Sequence, residues 1–285
     1  MLGIIHRTKA VAAGRRGQPL LQTYYDLAKL LRKGAVYSRT TTWVFVAGPV
    51  IGLAAVVGAL VVVPLGGVPA LLAFPGDLVL LAYLLGLARF FTVLAALDTG
   101  SAFEGMGASR EVLFSALAEP ALILGLATVA IQSHSLSLSG LYAAVDFATF
   151  LRAGPALMLV AAALLVVFLT ENARIPIDDP NTHLELTMIH EVMVLDHGGP
   201  DFALIQYAAS LKLWALGSLL VGLVVPVRTG SWWLDLPLGW AGMALLAVVT
   251  GVIESSTARL RLVRVPQFLI TASVLSILAL ILVMR

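Results

Sequence analysis

The sequence predicts an all-α bundle that crosses a membrane about seven times, and three observations predict it. First, 60% of the 285 residues are hydrophobic and 12% are charged, where a soluble domain has roughly 45–50% apolar and about 25% charged residues. Second, seven apolar stretches are each long enough for a span of about 20 residues, allowing for tilt. Third, none of them alternates with period two as a barrel strand would, and backbone in hydrocarbon must pair within its own segment. The composition excludes a soluble globular enzyme and a disordered chain, and charge is too sparse for a nucleic-acid binder. Cysteine is absent. The chain therefore forms no disulfide, no thiolate zinc site and no iron–sulfur ligation, which leaves any associated redox chemistry to another subunit.

The elements follow in order along the chain. Met1–Ile5 is apolar and runs straight into basic residues. It is too short for the apolar core of a signal peptide and reads as the tail of a further span. Leu20–Lys33 predicts an amphipathic helix, with Leu20, Tyr24, Leu27 and Leu31 on one side and Gln22, Asp26, Lys29 and Lys33 on the other. It suits the membrane interface, either as an anchor on lipid headgroups or as a docking face for a partner. The spans are Trp43–Val63, Asp77–Leu97, Val112–Gln132, Pro155–Thr170, Ala208–Val227, Leu238–Ile253 and Val265–Met284. Between the fourth and fifth, Thr182–Asp196 predicts a second non-spanning helix, opened by a Thr182/Glu185 capping box after Pro180. Its stripe is Leu184, Met188, Val192 and Leu195. Glu185 points into that stripe, and His190 and Thr187 point away from it.

Basic residues set the orientation. The N-terminal segment and the loops on its side carry 13 of the 18 Lys and Arg, against three on the other side. The positive-inside rule then places the N-terminus in the cytoplasm and the C-terminus outside. The acids gather on the same side, twelve of sixteen, or thirteen with Glu119.

A charge at membrane depth costs roughly 2.5–3.5 kcal/mol on insertion scales and points to function. Arg89 lies midway along the second span, Glu119 just before Pro120 in the third, and Lys212 near the start of the fifth, while Glu254 closes the sixth. Asp98, Glu104 and Glu111 are expected in the loop between the second and third spans, with Gly105 and Gly107 permitting a tight turn there. Glu171, Arg174, Asp178, Asp179, Glu185 and Glu191 belong to a loop running from 171 to 201. Together these residues form a candidate proton and charge network, in which neighbouring carboxylates and burial shift proton affinities. The competing reading is a set of static ion pairs holding the bundle together. His183, His190 and His197 are spaced by seven, too far apart along a helix to share one metal ion. The two glycines follow no strand, so the dinucleotide reading fails.

Four segments carry a family resemblance. The most distinctive is Glu171-Asn-Ala-Arg-Ile-Pro-Ile-Asp-Asp-Pro-Asn-Thr-His-Leu-Glu-Leu-Thr-Met-Ile-His-Glu191. The others begin at Arg15-Arg-Gly-Gln-Pro, Ala95-Ala-Leu-Asp-Thr-Gly and Ala258-Arg-Leu-Arg-Leu-Val-Arg. The chain resembles the membrane-subunit family shared by respiratory complex I (the NADH dehydrogenase subunit 1 type) and the group 4 membrane-bound nickel–iron hydrogenases, including the formate hydrogenlyase subunit 4 type. Glu171, Arg174, Pro176 and Asp178 match the core common to both branches, and the continuation through His190-Glu191 resembles the hydrogenase branch. The family usually has eight spans, with a full helix where Met1–Ile5 stands here.

The resemblance implies a subunit without a cofactor of its own, at the heel of an L-shaped complex in the cell inner membrane. Its cytoplasmic loops would dock hydrogenase-like large and small subunits carrying nickel–iron and iron–sulfur centres. Arg15, Arg16, Arg110, His183, His190, Arg259, Arg261 and Arg264 are the docking candidates. The network residues would link redox events there to antiporter-like membrane subunits. Two alternatives remain at this point: a quinone-chamber subunit of an NADH:quinone oxidoreductase, and a stand-alone ion transporter.

Overall fold

The computed structural model describes residues 1–178, 188–226 and 228–285. Among them it contains ten α-helices and no strand. They are α1 (Leu2–Ala12), α2 (Gln22–Leu31), α3 (Trp43–Val62), α4 (Asp77–Asp98), α5 (Ala102–Ser133), α6 (Leu138–Ala143), α7 (Phe147–Glu171), α8 (Gly199–Val224), α9 (Trp232–Ser256) and α10 (Val265–Met284). Seven of these, α3, α4, α5, α7, α8, α9 and the stretch Leu262–Met284 ending in α10, are long and apolar enough to span.

One buried apolar cluster joins α3, α4, α5, α7, α8, α9 and α10. The packing divides into a group of α5, α7 and α10 and a group of α3, α4 and α8, while α1 lies along α9. Small and hydroxyl residues set the close approaches, as expected where lipid supplies no hydrophobic drive between helices. Ser276 on α10 donates to the Ala121 carbonyl of α5 at 2.9 Å. The α7 helix kinks at Ala153, because Pro155 has no N–H to give and its ring crowds the preceding turn. At the far end, buried Asp77 accepts from Leu138 N at 2.6 Å and Ser137 Oγ at 2.8 Å, fixing α6 against α4.

Several sequence boundaries move. The α5 helix starts at Ala102, so Glu104, Gly105, Gly107, Arg110 and Glu111 lie in its first turns, and the loop before it shrinks to residues 99–101. Gly107 is there for packing: a Cβ would sit 2.3 Å from Val192 Cγ1. The α8 helix starts at Gly199 rather than at Ala208, so Lys212 falls mid-helix and Asp201 belongs to the first turn. Gly199 (φ +54°) makes that start possible, with Gly34 O close enough to bar any side chain. The loop between α7 and α8 therefore runs from 172 to 198. Asp179, His183, Glu185 and the Thr182/Glu185 capping box lie outside the described residues. The part of the expected Thr182–Asp196 helix that is described, 188–196, holds a single 3-10 turn at Glu191–Val194 rather than an α-helix. There Met188, Ile189, Val192 and Met193 are all buried, while His190 and Glu191 are half-buried and Leu195 and Asp196 exposed.

The α2 helix presents part of each face to the bundle. Leu27 is buried, but Leu20, Tyr24 and Leu31 are exposed, while Gln22, Thr23 and Asp26 line a cavity. The walls of that cavity are charged, and the polar side of α2 faces them.

Candidate functional site

Arg89 is the centre of the site. It sits midway along α4, and its side chain is 13% exposed. A guanidinium is always charged and offers five donors in a fixed fork, so in a bundle of apolar helices it has to be met by acids. Three acids meet it: Glu111 of α5 at 3.4 Å from Nε, Glu119 of α5 at Nη1, and Glu171 of α7 at Nη2. Glu111 and Glu119 reach one cation because they lie eight residues apart, on one side of α5. Lys212 of α8 approaches the second oxygen of Glu171 at 3.6 Å. The early start of α8 is what carries this lysine into the bundle, to the depth of Arg89.

The Glu111 carboxylate continues the cluster into the loop after α7. Its second oxygen is 3.1 Å from His190 Nε2, and His190 Nδ1 lies 3.7 Å from Asp178 Oδ2. Both ring nitrogens are shielded from solvent, and neither contact has the alignment of a regular hydrogen bond. Asp178 also accepts from the backbone N–H groups of Ile189 and His190 at 3.2 Å each and from Arg259 Nη2 at 2.9 Å. Burial alone would raise the Asp178 proton affinity. The contacts with His190 and Arg259 outweigh it and hold this carboxyl below the usual range. For His190 burial works downward, and the Glu111 and Asp178 carboxylates outweigh it, holding the imidazole above its usual value.

A second buried group lies beside the first. Glu254 of α9 bridges Lys9 of α1 at 2.7 Å and Arg174 at 3.3 Å. His6 is close by, and burial, with Arg174 next, holds its pKa below the ordinary value. Sequence reasoning misses Lys9, because everything after Ile5 reads as a basic tail. The available signal is spacing: a helix from Met1 puts Lys9 one turn beyond fully buried Ile5.

The two groups share a cavity of about 400 Å³. Gly48, Pro49, Gly52 and Val56 of α3 form an apolar wall. Arg89, Glu111, Glu171, Arg174, His190, Glu191 and Lys212 lie on the polar side, with α2 across it.

Other candidate residues fall elsewhere. Asp98 accepts from Thr42 N and Oγ1 at 2.6 and 2.9 Å and ties the end of α4 to the start of α3. Glu104 is fully buried and accepts from Asp196 N at 3.1 Å, two helical turns from Glu111. Among the docking candidates, Arg110 donates to the Met188 carbonyl at 2.9 Å, and Arg259 and His190 are held by Asp178. Arg15, Arg16, Arg261 and Arg264 are exposed. Among the described residues no group of three His, Cys, Asp or Glu side chains has the arrangement of a metal site. Glu119 is 49% exposed, so it borders the outer surface of the bundle. Static pairing reaches further than the sequence suggested, since Glu119 and Glu254 both have cation partners.

A family model described as NADH dehydrogenase matches residues 1–284. The chain belongs to the NADH dehydrogenase family. Within that family it is 31% identical over 272 aligned positions to formate hydrogenlyase subunit 4 of Escherichia coli (strain K12), covering 91% of this chain and 85% of the relative. It is also 31% identical over 224 positions to hydrogenase-4 component C of the same organism, covering 79% and 70%. A chain of the archaeal membrane-bound sulfane sulfur reductase, a respiratory membrane complex, has the same fold. The TM-score is 0.81 at 20% identity, with 99% of this chain and 93% of that one covered. The protein is thus a membrane-embedded helical member of the NADH dehydrogenase family, with relatives among hydrogenase components.

Proposed function

We propose that this chain is the membrane subunit that anchors a peripheral electron-transfer arm and links its redox events to ion movement in adjoining membrane subunits. The observation that carries this reading is the buried cluster on Arg89, where α4, α5, α7 and α8 each contribute a charge at the wall of a cavity. Buried ion pairs are weak evidence for stability, since apolar replacements often serve a bundle as well. A cluster of coupled charges at membrane depth is better suited to moving or sensing a proton. The similarity to formate hydrogenlyase subunit 4 and hydrogenase-4 component C favours a hydrogenase-like partner. Its large and small subunits would hold nickel–iron and iron–sulfur centres, and antiporter-like subunits would adjoin in the membrane. The excess of basic residues around the N-terminus favours a cytoplasmic N-terminus and an outer C-terminus. Exposed Arg15, Arg16, Arg261 and Arg264 would then face the arm.

The test is the assembled complex in proteoliposomes, with dithionite-reduced methyl viologen as electron donor. Glu171→Gln is expected to lower the number of ions moved per electron. An unchanged ratio would leave the cluster a static brace. The cavity favours a second reading, since its volume and mixed walls suit a small amphipathic molecule and a quinone chamber would look similar. Dependence of electron transfer on an added quinone distinguishes that reading.

A further inference from the structure

Glu171 and Asp178 are seven residues apart in sequence but belong to different parts of the cluster, and one side chain lies between those parts. On the membrane side, Arg89 gathers Glu111, Glu119 and Glu171, with Lys212 beside Glu171. On the loop side, Asp178 gathers Arg259 and the backbone of residues 189–190. The imidazole of His190 lies between Glu111 and Asp178, with a ring nitrogen toward each.

We propose that His190 is the proton-carrying link between the membrane half and the loop half of the cluster, exchanging one proton and thereby setting how firmly the segment from Met188 to Asp196 is held against α5. The proposal rests on the coupling function above. When the ring carries its second proton, a cation separates two carboxylates, and Glu111 and Asp178 are both drawn to it. When the proton leaves, Nδ1 or Nε2 becomes an acceptor facing a carboxylate, and that contact turns repulsive. Exchange between the ring and either carboxylate needs no other reactant: Glu111 Oε2 lies 3.1 Å from Nε2, and passage to Asp178 requires the ring to close the 3.7 Å gap at Nδ1.

The rest of the surroundings fit. Lys212 opposes the charged ring from α8, and Glu171 from α7 favours it. Arg89 competes with the ring for Glu111, and Arg259 competes for Asp178. These opposing charges poise the ring for exchange instead of fixing it in one state. Polar ties that hold the segment it would control include Arg110 to the Met188 carbonyl, Glu104 to Asp196 N, and Asp178 to the two backbone amides. A one-proton change at His190 acts directly on the last of these.

The experiment has two arms, both on the assembled complex. In the first, ¹⁵N-histidine labelling reads ring protonation by NMR from about pH 5.5 to 8.5, and the His190 signal is identified by its loss in His190→Gln. The ring is expected to titrate above the ordinary imidazole value of about 6.5, and Glu111→Gln is expected to move its midpoint downward. In the second arm, ions moved per electron are followed over the same pH range. Wild type should lose coupling as the ring deprotonates. His190→Gln should lower the ratio near neutral pH to the value wild type reaches once its ring is deprotonated. His190→Lys, whose ammonium stays charged and cannot exchange a proton over this range, should also lower the ratio and lose the pH profile. A ring that remains neutral throughout, or a pH profile that survives in His190→Gln, overturns the proposal. If His190→Gln has no effect while Glu171→Gln uncouples, the link fails and the coupling function stands. If neither variant changes the ratio, both fall.

Discussion

Replacing Arg89 with methionine removes the cation shared by Glu111, Glu119 and Glu171 while leaving an unbranched apolar side chain in its place. At the 3.4 Å separating Arg89 Nε from Glu111 Oε1, one unit pair is worth about 5 kcal/mol at an effective dielectric of about 20. That figure is gross, because the desolvation of both ions opposes it. Three features fix the net loss. Glu111 and Glu171 are 7% and 6% exposed, so neither regains water when Arg89 goes. Glu119 is half exposed and recovers most of its hydration, so its pair contributes little. Lys212 remains 3.6 Å from Glu171 and keeps that acid partly compensated. Breaking a buried pair typically costs about 3–5 kcal/mol, and Arg89→Met belongs in that range. A double-mutant cycle with Glu171→Gln, read by unfolding in mixed detergent micelles, isolates the pair. The double variant should lose less than the sum of the singles, by about 0.5–3 kcal/mol. Strict additivity, or an Arg89→Met protein as stable as wild type, would refute the claim that these charges act as one buried cluster.

Two further outcomes follow from the same structure. Gly107→Ala puts a methyl group 2.3 Å from Val192 Cγ1 and 3.0 Å from the Ile189 carbonyl, so the 3-10 turn has to shift away from α5. The expected cost is about 1–3 kcal/mol, with Val192→Ala restoring part of it. Equal stability of Gly107→Ala and wild type in the same micelle assay would show that the turn does not pack on α5. The Asp178 carboxyl has its proton affinity lowered in the folded state, so its stabilising contribution is present above the ordinary carboxyl value, about pH 4, and is lost as pH falls through the lower folded value. Wild type should therefore lose stability between about pH 5 and pH 3 more steeply than Asp178→Asn. Identical slopes in a micelle unfolding series would remove Asp178 from the acid-sensitive set.

Much of the membrane architecture could be read from the sequence, and the reason is simple. An apolar run of about 20 residues has few alternatives to a spanning helix, and the seven runs occupy their expected places in the fold. Helix starts were harder to read wherever polar residues are buried. Residues 102–111 carry Glu104, Ser109, Arg110 and Glu111 and look like a loop by hydropathy, yet they are the first turns of α5. The same holds for Gly199–Tyr207 of α8 and for Lys9 of α1. In each case polar groups are met by partners distant in the chain, and hydropathy counts the charge without seeing the partner. For α2 the amphipathic pattern shows only that two faces differ; that Gln22 and Asp26 border the charged cavity is set by packing.

By itself the sequence determined that this protein is a cysteine-free membrane helix bundle with charges where lipid would reject them, since those facts depend on composition and local spacing. The tertiary structure decided which charges meet. Arg89 reaches carboxylates on two other helices, Glu254 joins α1 to the turn after α7, and His190 lies between Glu111 and Asp178, contacts that include one between the first and the ninth helix. Ion pairing depends on distances of a few ångströms, and only the packing of helices onto one another sets those distances.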